Sequence, residues 1–185
     1  MIADYDEIAD KYDAFFSQKK YTDEDFELSK KLPKIRGRLL DIGCGTGLLF
    51  DLYKMCNVNI PDYTGVDPSF NMLKHLILRH GNNRCFCSTF EEFESDEKFD
   101  TIISCYGSPS YIKPKGILKI KEVANNGASV FLMFYKDGYY PVTHTFSTKK
   151  IILNKFSSYK KYISKLSSNL NYEEWNNYVI VSGVL

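Results

Sequence analysis

The feature that most constrains the fold is an apolar run, Leu39 to Ile42, that leads directly into three glycines at alternate positions, Gly43, Gly45 and Gly47. A short apolar run before a glycine turn predicts a buried β-strand. Alternate glycines let the backbone turn sharply and approach a ligand without Cβ clashes. The segment 48–55 predicts a helix whose first amides would face that ligand. Strand, glycine turn and helix in this order predict the start of a βαβ unit.

Apolar runs and helical segments keep alternating along the rest of the chain. This alternation predicts an α/β fold with a mostly parallel sheet of about seven strands. The last two strands would form an antiparallel hairpin at the edge, and Asn126-Gly127 would make a turn before the fifth strand. The predicted strands are 38–42, 63–67, 84–88, 99–105, 129–135, 159–165 and 178–184. The predicted helices are 3–18, 22–32, 48–55, one after Pro68, one within 107–124 and one from Ser147 to Phe156.

The composition agrees with one folded domain. The 185 residues are 44% hydrophobic and 25% charged, which favours an ordinary globular core over disorder. No apolar run approaches the roughly 18–20 residues that cross a membrane, and the acidic, amphipathic N-terminus is unlike a secretory signal. Five cysteines, an odd number without zinc-site spacing, predict free thiols, no bound metal and a cytoplasmic location.

The charge is unevenly distributed, although the net charge is only +1. Residues 1–112 carry 13 basic and 19 acidic side chains, whereas residues 113–170 carry 11 lysines and two acids. Such a basic region either faces an anionic partner, such as RNA, or forms a solvated surface. The sequence leaves both interpretations open.

Two acidic residues indicate which ligand the glycine turn would bind. The spacing is G-x-G-x-G, so position 48, where the dinucleotide fingerprint has its third glycine, is Leu48, and no lysine follows to form a phosphate-binding loop. Asp41 would repel a pyrophosphate but could accept hydrogen bonds from an ammonium group. Asp67, at the end of the next predicted strand, could bind both ribose hydroxyls. A ligand with an ammonium group, a ribose and no phosphate fits S-adenosylmethionine.

These motifs resemble a known family. The stretch LLDIGCGTGLL resembles the signature of class I S-adenosylmethionine-dependent methyltransferases, and YTGVDPSFNML resembles their second strand and helix. The resemblance continues through FDTIISCYGSPSYI and the N-terminal YDEIADKYD, and it covers roughly residues 5–135. It implies a Rossmann-like, doubly wound fold in a single domain, 1–185. Residues 1–35 would form N-terminal helices and a lid, 36–135 the cofactor-binding core, and 136–185 the substrate-side loop and closing strands.

The resemblance also implies a set of cofactor contacts. Asp41 would hold the methionine ammonium group, Asp67 the ribose, and Tyr12 would close over the cofactor. Ser88 stands where the family often has an acid, so its hydrogen bond to the adenine would be neutral and weaker. The other implied contacts are Gly43, Cys44, Gly45 and Gly47 in the glycine turn, Pro68 and Ser69 after the second strand, Thr89 and Phe90 after the third, and Cys105 and Gly107 near the methyl group.

The catalytic residues are less well defined by the sequence. Methyl transfer requires an acceptor aligned with the departing sulfur, and it requires a base only if the acceptor carries a proton near neutral pH. His144 and Tyr106 are the candidate catalytic residues, and Asp13 is a further candidate base.

Three functions are compatible with these observations. The leading hypothesis is methyl transfer to a small molecule, with the entry helix and the aromatic-rich segment 136–148 around the substrate. The second is an RNA or other polyanion methyltransferase that uses the basic region 113–170. The third is a non-catalytic, methyltransferase-like partner subunit, against which the intact Asp41 and its glycines argue.

Overall fold

One seven-stranded sheet forms the centre of the computed structural model, which describes residues 5–16, 19–81, 83–146 and 152–185. The strands are β1 Leu39–Ile42, β2 Tyr63–Asp67, β3 Arg84–Cys87, β4 Phe99–Ser104, β5 Ala124–Tyr135, β6 Leu170–Trp175 and β7 Tyr178–Val184. They are arranged in the order β3-β2-β1-β4-β5-β7-β6. The first five strands are parallel, whereas β7 is antiparallel to both β5 and β6.

Helices cover both faces of this sheet. Those in the described residues are α1 Ala9–Phe16, α2 Lys19–Ser29, α3 Leu48–Met55, α4 Phe70–His80, α5 Ile120–Val123 and α6 Lys160–Leu166. On one face Leu39 belongs to a buried cluster with residues of α2, α3 and α4, and on the other Leu40 belongs to a cluster with residues of α5 and α6. The predicted doubly wound α/β fold with an antiparallel edge hairpin is therefore confirmed. None of the described helices is long and apolar enough to cross a membrane.

The position of β1 in the sheet determines where a ligand can bind. Every residue of β1 and β2 is buried, as expected for central parallel strands covered on both faces. The chain passes from β1 outwards to β2 and β3, then returns to place β4 on the other side of β1. At such a switch point the loops after the two strands diverge and leave a crevice at their carboxyl ends. The glycine turn after β1 lies at this crevice.

The predicted C-terminal elements require a correction. Segment 159–165, predicted as a strand, lies mostly in helix α6, and the edge strand is β6 instead. The buried residues Tyr159, Ile163 and Leu166 are four and three positions apart, which places them on one helical face. The helix predicted from Ser147 to Phe156 is not found in its described part: residues 152–155 are not helical, and Phe156 begins a short 3-10 turn. Residues 147–151 lie outside the described residues.

Two smaller differences concern the fifth strand and the N-terminus. Asn126-Gly127 forms no separate turn, because β5 already begins at Ala124 and the extra residues form a bulge opposite β4. Gly127 takes a φ of 77° within this bulge, which explains the glycine there. The N-terminal helix begins at Ala9 after a turn over residues 5–8, and residues 3–4 and 17–18 of the predicted helix 3–18 lie outside the described residues.

Candidate active site

The glycine turn between β1 and α3 has left-handed backbone geometry. The φ angles of Gly43, Gly45 and Gly47 are 72°, 51° and 89°. A Cβ added at Gly43 would lie 2.5 Å from Cβ of Ser108, whereas one added at Gly45 would meet no atom within 4 Å. Gly43 therefore allows close packing against the loop after β4, and Gly45 borders open space in which a ligand could lie against the backbone.

Hydrogen bonds join the glycine turn to the loop after β4. The Ser104 hydroxyl donates to the carbonyl oxygen of Ile42 at 2.7 Å, and the Ser108 hydroxyl donates to that of Gly43 at 3.2 Å. Between the two serines, Tyr106 has a φ of 53°, which is unusual for a bulky side chain and occurs most often at functional sites. The two loops thus form one rigid rim at the switch point.

Asp41 is a buried carboxylate at the base of this rim, with 3% of its surface exposed. The Tyr63 hydroxyl donates a hydrogen bond to it at 2.9 Å. Burial outweighs this bond and, with a smaller contribution from Asp67, raises the pKa of Asp41 to about 7. A cationic group beside Asp41 would compensate for the lost solvation, so the site fits a ligand with an ammonium group.

Asp67 is held by the backbone at the end of β2. The amide of Gly45 donates to one carboxylate oxygen at 2.9 Å, and that of Ser69 donates to the other at 2.8 Å. Burial raises the pKa of Asp67 to about 6, although both hydrogen bonds lower it. The carboxylate is therefore fixed beside the glycine turn and retains lone pairs for two further donors, as a ribose diol would supply.

The N-terminal segment closes over the glycine turn. The Ser69 hydroxyl donates to Asp6 at 2.5 Å. Asp13 of α1 accepts a hydrogen bond from the Thr46 hydroxyl at 2.6 Å and forms an ion pair with Arg79 of α4, also at 2.6 Å. Tyr12, next to Asp13, lies between these contacts and lines the space above the turn. Residues 5–16, called the lid below, are therefore held over the glycine turn by contacts of Asp6 and of Asp13.

We expect Asp13→Ala to raise the dissociation constant for the cofactor about threefold to tenfold, mainly through faster dissociation. The contacts of Asp13 are partly exposed, so each contributes only about 1 kcal/mol. Stopped-flow dissociation of the complex measures the effect. Lys11→Ala, an exposed position on the same helix, is the control. Equal dissociation rates for the Asp13 variant and the native chain would show that this contact does not hold the lid closed.

Two adjoining cavities lie beneath this lid. The smaller, about 30 Å³, is lined by Asp41, the glycine turn and Cys105. The larger, about 110 Å³, lies between α2, the loop after β5 and the β6–β7 hairpin. Tyr12, Leu48 and Tyr106 line both cavities, so the two cavities meet at these three side chains.

The structure brings most of the predicted cofactor residues together. Gly47 caps α3, but a Cβ there would point towards His80 rather than the cavity. Phe90 is buried in the core cluster, so its ring does not face the glycine turn, whereas Ser88 and Thr89 are partly exposed after β3. Pro68 is exposed beside Asp67. The predicted residues that line the smaller cavity are Tyr12, Asp41, Gly43, Cys44, Gly45, Cys105 and Tyr106.

The two predicted catalytic residues lie at different depths. Tyr106 lines both cavities, and its hydroxyl donates to Asp25 of α2 at 2.8 Å. His144 is buried and lies outside both linings, and its Nε2 is hydrogen-bonded to the Tyr111 hydroxyl at 2.7 Å. Its neighbour Thr143 lines the larger cavity. His144 is therefore placed to support the cavity wall, whereas Tyr106 is placed at the junction of the cavities.

The predicted substrate-side segment 136–148 supplies part of the lining of the larger cavity, but the sequence singles out few of the other lining residues. Glu24 and Asp25 lie in the predicted helix 22–32 and Tyr178 begins a predicted strand, but neither these residues nor Trp175 are among the site residues that the sequence predicts. Trp175 and Tyr178 flank the hairpin Asn176-Asn177, and this pair of aromatics around an asparagine turn is the signal that points to this end of the sheet.

Comparison with known proteins gives a family match. A family model described as a methyltransferase domain matches residues 7–140. Among curated proteins, none matches this sequence. Within the described residues, no group of three or more histidine, cysteine or acidic side chains is placed to hold a metal ion.

Several solved structures share the fold. DesVI of Streptomyces venezuelae has 19% identity and a TM-score of 0.69, with 94% of this chain and 97% of that chain covered. S-adenosylmethionine-bound CalS10, an amino pentose methyltransferase from Micromonospora echinaspora, has 13% identity, a TM-score of 0.62 and coverage of 86% and 89%. The sugar N-methyltransferase KedS8 from Streptoalloteichus sp. has 14% identity, a TM-score of 0.65 and coverage of 92% and 91%. At these identities the likeness concerns the fold.

Proposed function

The chain belongs to the methyltransferase-domain family, as a class I member that uses S-adenosylmethionine, and we propose that it methylates a small-molecule acceptor. The observation that carries this proposal is the pair of cavities that share Tyr12, Leu48 and Tyr106. The smaller cavity has Asp41 and the glycines that suit the cofactor, and Asp67 is hydrogen-bonded to the same glycine turn. The larger is a neighbouring, partly open space that could hold an acceptor next to the same three side chains.

Each part of the cofactor has a matching group in the protein. Asp41 would hold the methionine ammonium group, and Asp67 the ribose hydroxyls. Gly45 would let the backbone approach the ligand, and Cys105 would border the methyl group. When bound, the cofactor supplies a methyl group already activated by its sulfonium charge. The protein then aligns the acceptor with the carbon–sulfur bond and excludes water under the lid of residues 5–16.

The linings of the cavities support a small molecule over RNA. Among the described residues that line either cavity there is no lysine, arginine or histidine. A polyanion would gain no countercharge at the reacting centre. Small-molecule acceptors also agree with the amino pentose and sugar methyltransferases that share the fold.

The cofactor site is tested by calorimetric titration with S-adenosylmethionine and with its demethylated product. We expect both to bind the native chain, and Asp67→Ala to raise both dissociation constants about 100-fold, because two charge-assisted hydrogen bonds are lost. The control is Asp62→Ala, a partly exposed acid in the loop before β2 that pairs with Arg38 and Arg84. Unchanged affinity in the Asp67 variant, or binding of NADH instead, would contradict the assignment.

The acceptor class is tested with cofactor labelled in its methyl group. We expect label to enter the small-molecule fraction of a cell extract and not total RNA. Labelling of RNA alone would reject a small-molecule acceptor. Cofactor binding without transfer to either fraction would favour the non-catalytic alternative.

A further inference from the structure

We propose that the acceptor is an amine that enters the larger cavity as a cation. The inference rests on the proposed function, since it needs a methyl donor in the smaller cavity. It is carried by three features of the larger cavity: its charge, its aromatic wall and the contact between Tyr106 and Asp25.

The charge of the lining is negative. Glu24 and Asp25, both on α2, line the cavity, and no basic side chain is found among the described residues of its lining. Both acids are partly buried, so solvent screens them less than it screens surface acids. An anionic acceptor would be repelled from this cavity, whereas an ammonium group would be attracted.

The wall opposite α2 is a continuous row of aromatic rings. Trp175 stacks on Tyr178 at 6.2 Å between ring centroids, and Tyr178 stacks on Tyr135 at 5.3 Å. Tyr139 continues the row at 5.2 Å from Tyr135. Aromatic rings beside carboxylates are common where proteins bind organic cations, because a cation that reaches the face of a ring is attracted to it. The wall also offers an apolar surface to the carbon skeleton of an amine.

Asp25 lies at the side of the cavity that faces the cofactor. Its carboxylate accepts the hydrogen bond from Tyr106, which lines both cavities. Burial, together with the negative charges of Glu24 and Asp51, raises the pKa of Asp25 despite this hydrogen bond. The carboxylate is therefore poorly compensated by its own protein neighbours, and a cation near Tyr106 would supply the missing countercharge.

The same position suits the proton transfer that methylation of an amine requires. The acceptor ammonium gives one proton to the Asp25 carboxylate, which leaves a nitrogen lone pair. That lone pair forms the new carbon–nitrogen bond as the carbon–sulfur bond breaks and its electron pair stays on sulfur. The positive charge passes from sulfur to the methylated ammonium product, and the proton on Asp25 passes to water.

The test uses three aromatic probes of similar size but different charge: benzylammonium, benzyl alcohol and benzoate. Trp175, the single tryptophan of the chain, lines the cavity, so its fluorescence reports binding there. Each probe is titrated into the native chain with and without saturating demethylated cofactor. We expect benzylammonium to bind at least about tenfold more tightly than benzyl alcohol, and benzoate to bind most weakly.

Variants of α2 locate the effect. Asp25→Asn should raise the dissociation constant of benzylammonium about tenfold and leave that of benzyl alcohol unchanged. Glu24→Gln should act in the same direction, and it replaces the Asp25 variant if that variant folds poorly. Glu27→Gln removes an equal charge from the exposed face of the same helix and should leave the affinity for each probe unchanged. Equal binding of amine and alcohol, or no response to either cavity variant, would overturn the inference.

The test of the amine acceptor and the test of the cofactor site can succeed or fail independently. Calorimetry with the demethylated cofactor on the same preparation reports the smaller cavity alone. Cofactor binding without amine preference rejects only the amine acceptor, whereas amine preference without cofactor binding rejects the methyltransferase site.

Discussion

Asp41→Asn is expected to raise the dissociation constant for S-adenosylmethionine about 30-fold to 150-fold and to stabilise the free protein at pH 8. The loss of affinity follows because a hydrogen-bonded charge pair with the methionine ammonium group contributes about 2–3 kcal/mol. The gain in stability follows because Asp41 is buried, and asparagine has no charge to desolvate. Its carbonyl oxygen can still accept the hydrogen bond from Tyr63.

The stabilisation should depend on pH in a defined direction. Burial raises the pKa of Asp41 from its ordinary 3.8 to about 7, so between these values the folded chain binds the proton more tightly than the unfolded chain. The contribution of Asp41 to stability is therefore greatest below about pH 4, falls as pH rises, and levels off above about pH 7. The difference in the free energy of unfolding between Asp41→Asn and the native chain should therefore increase by about 2–4 kcal/mol from pH 4 to pH 8. This follows from about 1.4 kcal/mol for each tenfold change in proton affinity.

Denaturant unfolding of both proteins at pH 4, 6 and 8, with calorimetric titration at pH 8, measures the two effects. A stability difference that does not change with pH would mean that Asp41 is ionised at no cost in the folded chain. Undiminished affinity would place the cofactor ammonium elsewhere.

The second large effect is expected from Gly45→Ala, which should lower cofactor affinity at least about 30-fold. Its cost in stability should be only about 1 kcal/mol, which is the strain of an alanine in a left-handed backbone conformation. A Cβ at Gly45 meets no protein atom within 4 Å, so it would occupy the space beside the backbone that the ligand needs. Gly127→Ala is the matched control, because it too has positive φ and open space around its Cβ, but it lies in the β5 bulge.

Thermal unfolding and calorimetry of the two variants decide this prediction. Both should lose similar stability, and only the Gly45 variant should lose affinity. Equal affinity in both would show that the ligand does not approach the backbone at Gly45. A much larger loss of stability at Gly45 would show that its role is in folding.

Local patterns predicted the elements that lie close together along the chain. The apolar run of β1, the glycine turn and α3 are adjacent in sequence, so their geometry follows from residue type alone. Asp41 and Asp67 lie near the carboxyl ends of two predicted parallel strands, so the strand prediction alone already places them at one edge of the sheet. The wrong prediction at 159–165 arose because a short apolar segment suits either a strand or a helix, and packing of Tyr159, Ile163 and Leu166 into the core selected the helix.

The sequence by itself determined the α/β class and the acids and glycines that suit the cofactor, because each depends on a short stretch of chain. Only the tertiary structure decided which residues enclose the larger cavity. Asp25 and Tyr106 are 81 positions apart, and Trp175 reaches the same cavity from the edge hairpin. No local pattern encodes such contacts, because they depend on how α2, the loop after β4 and the β6–β7 hairpin meet at one end of the sheet.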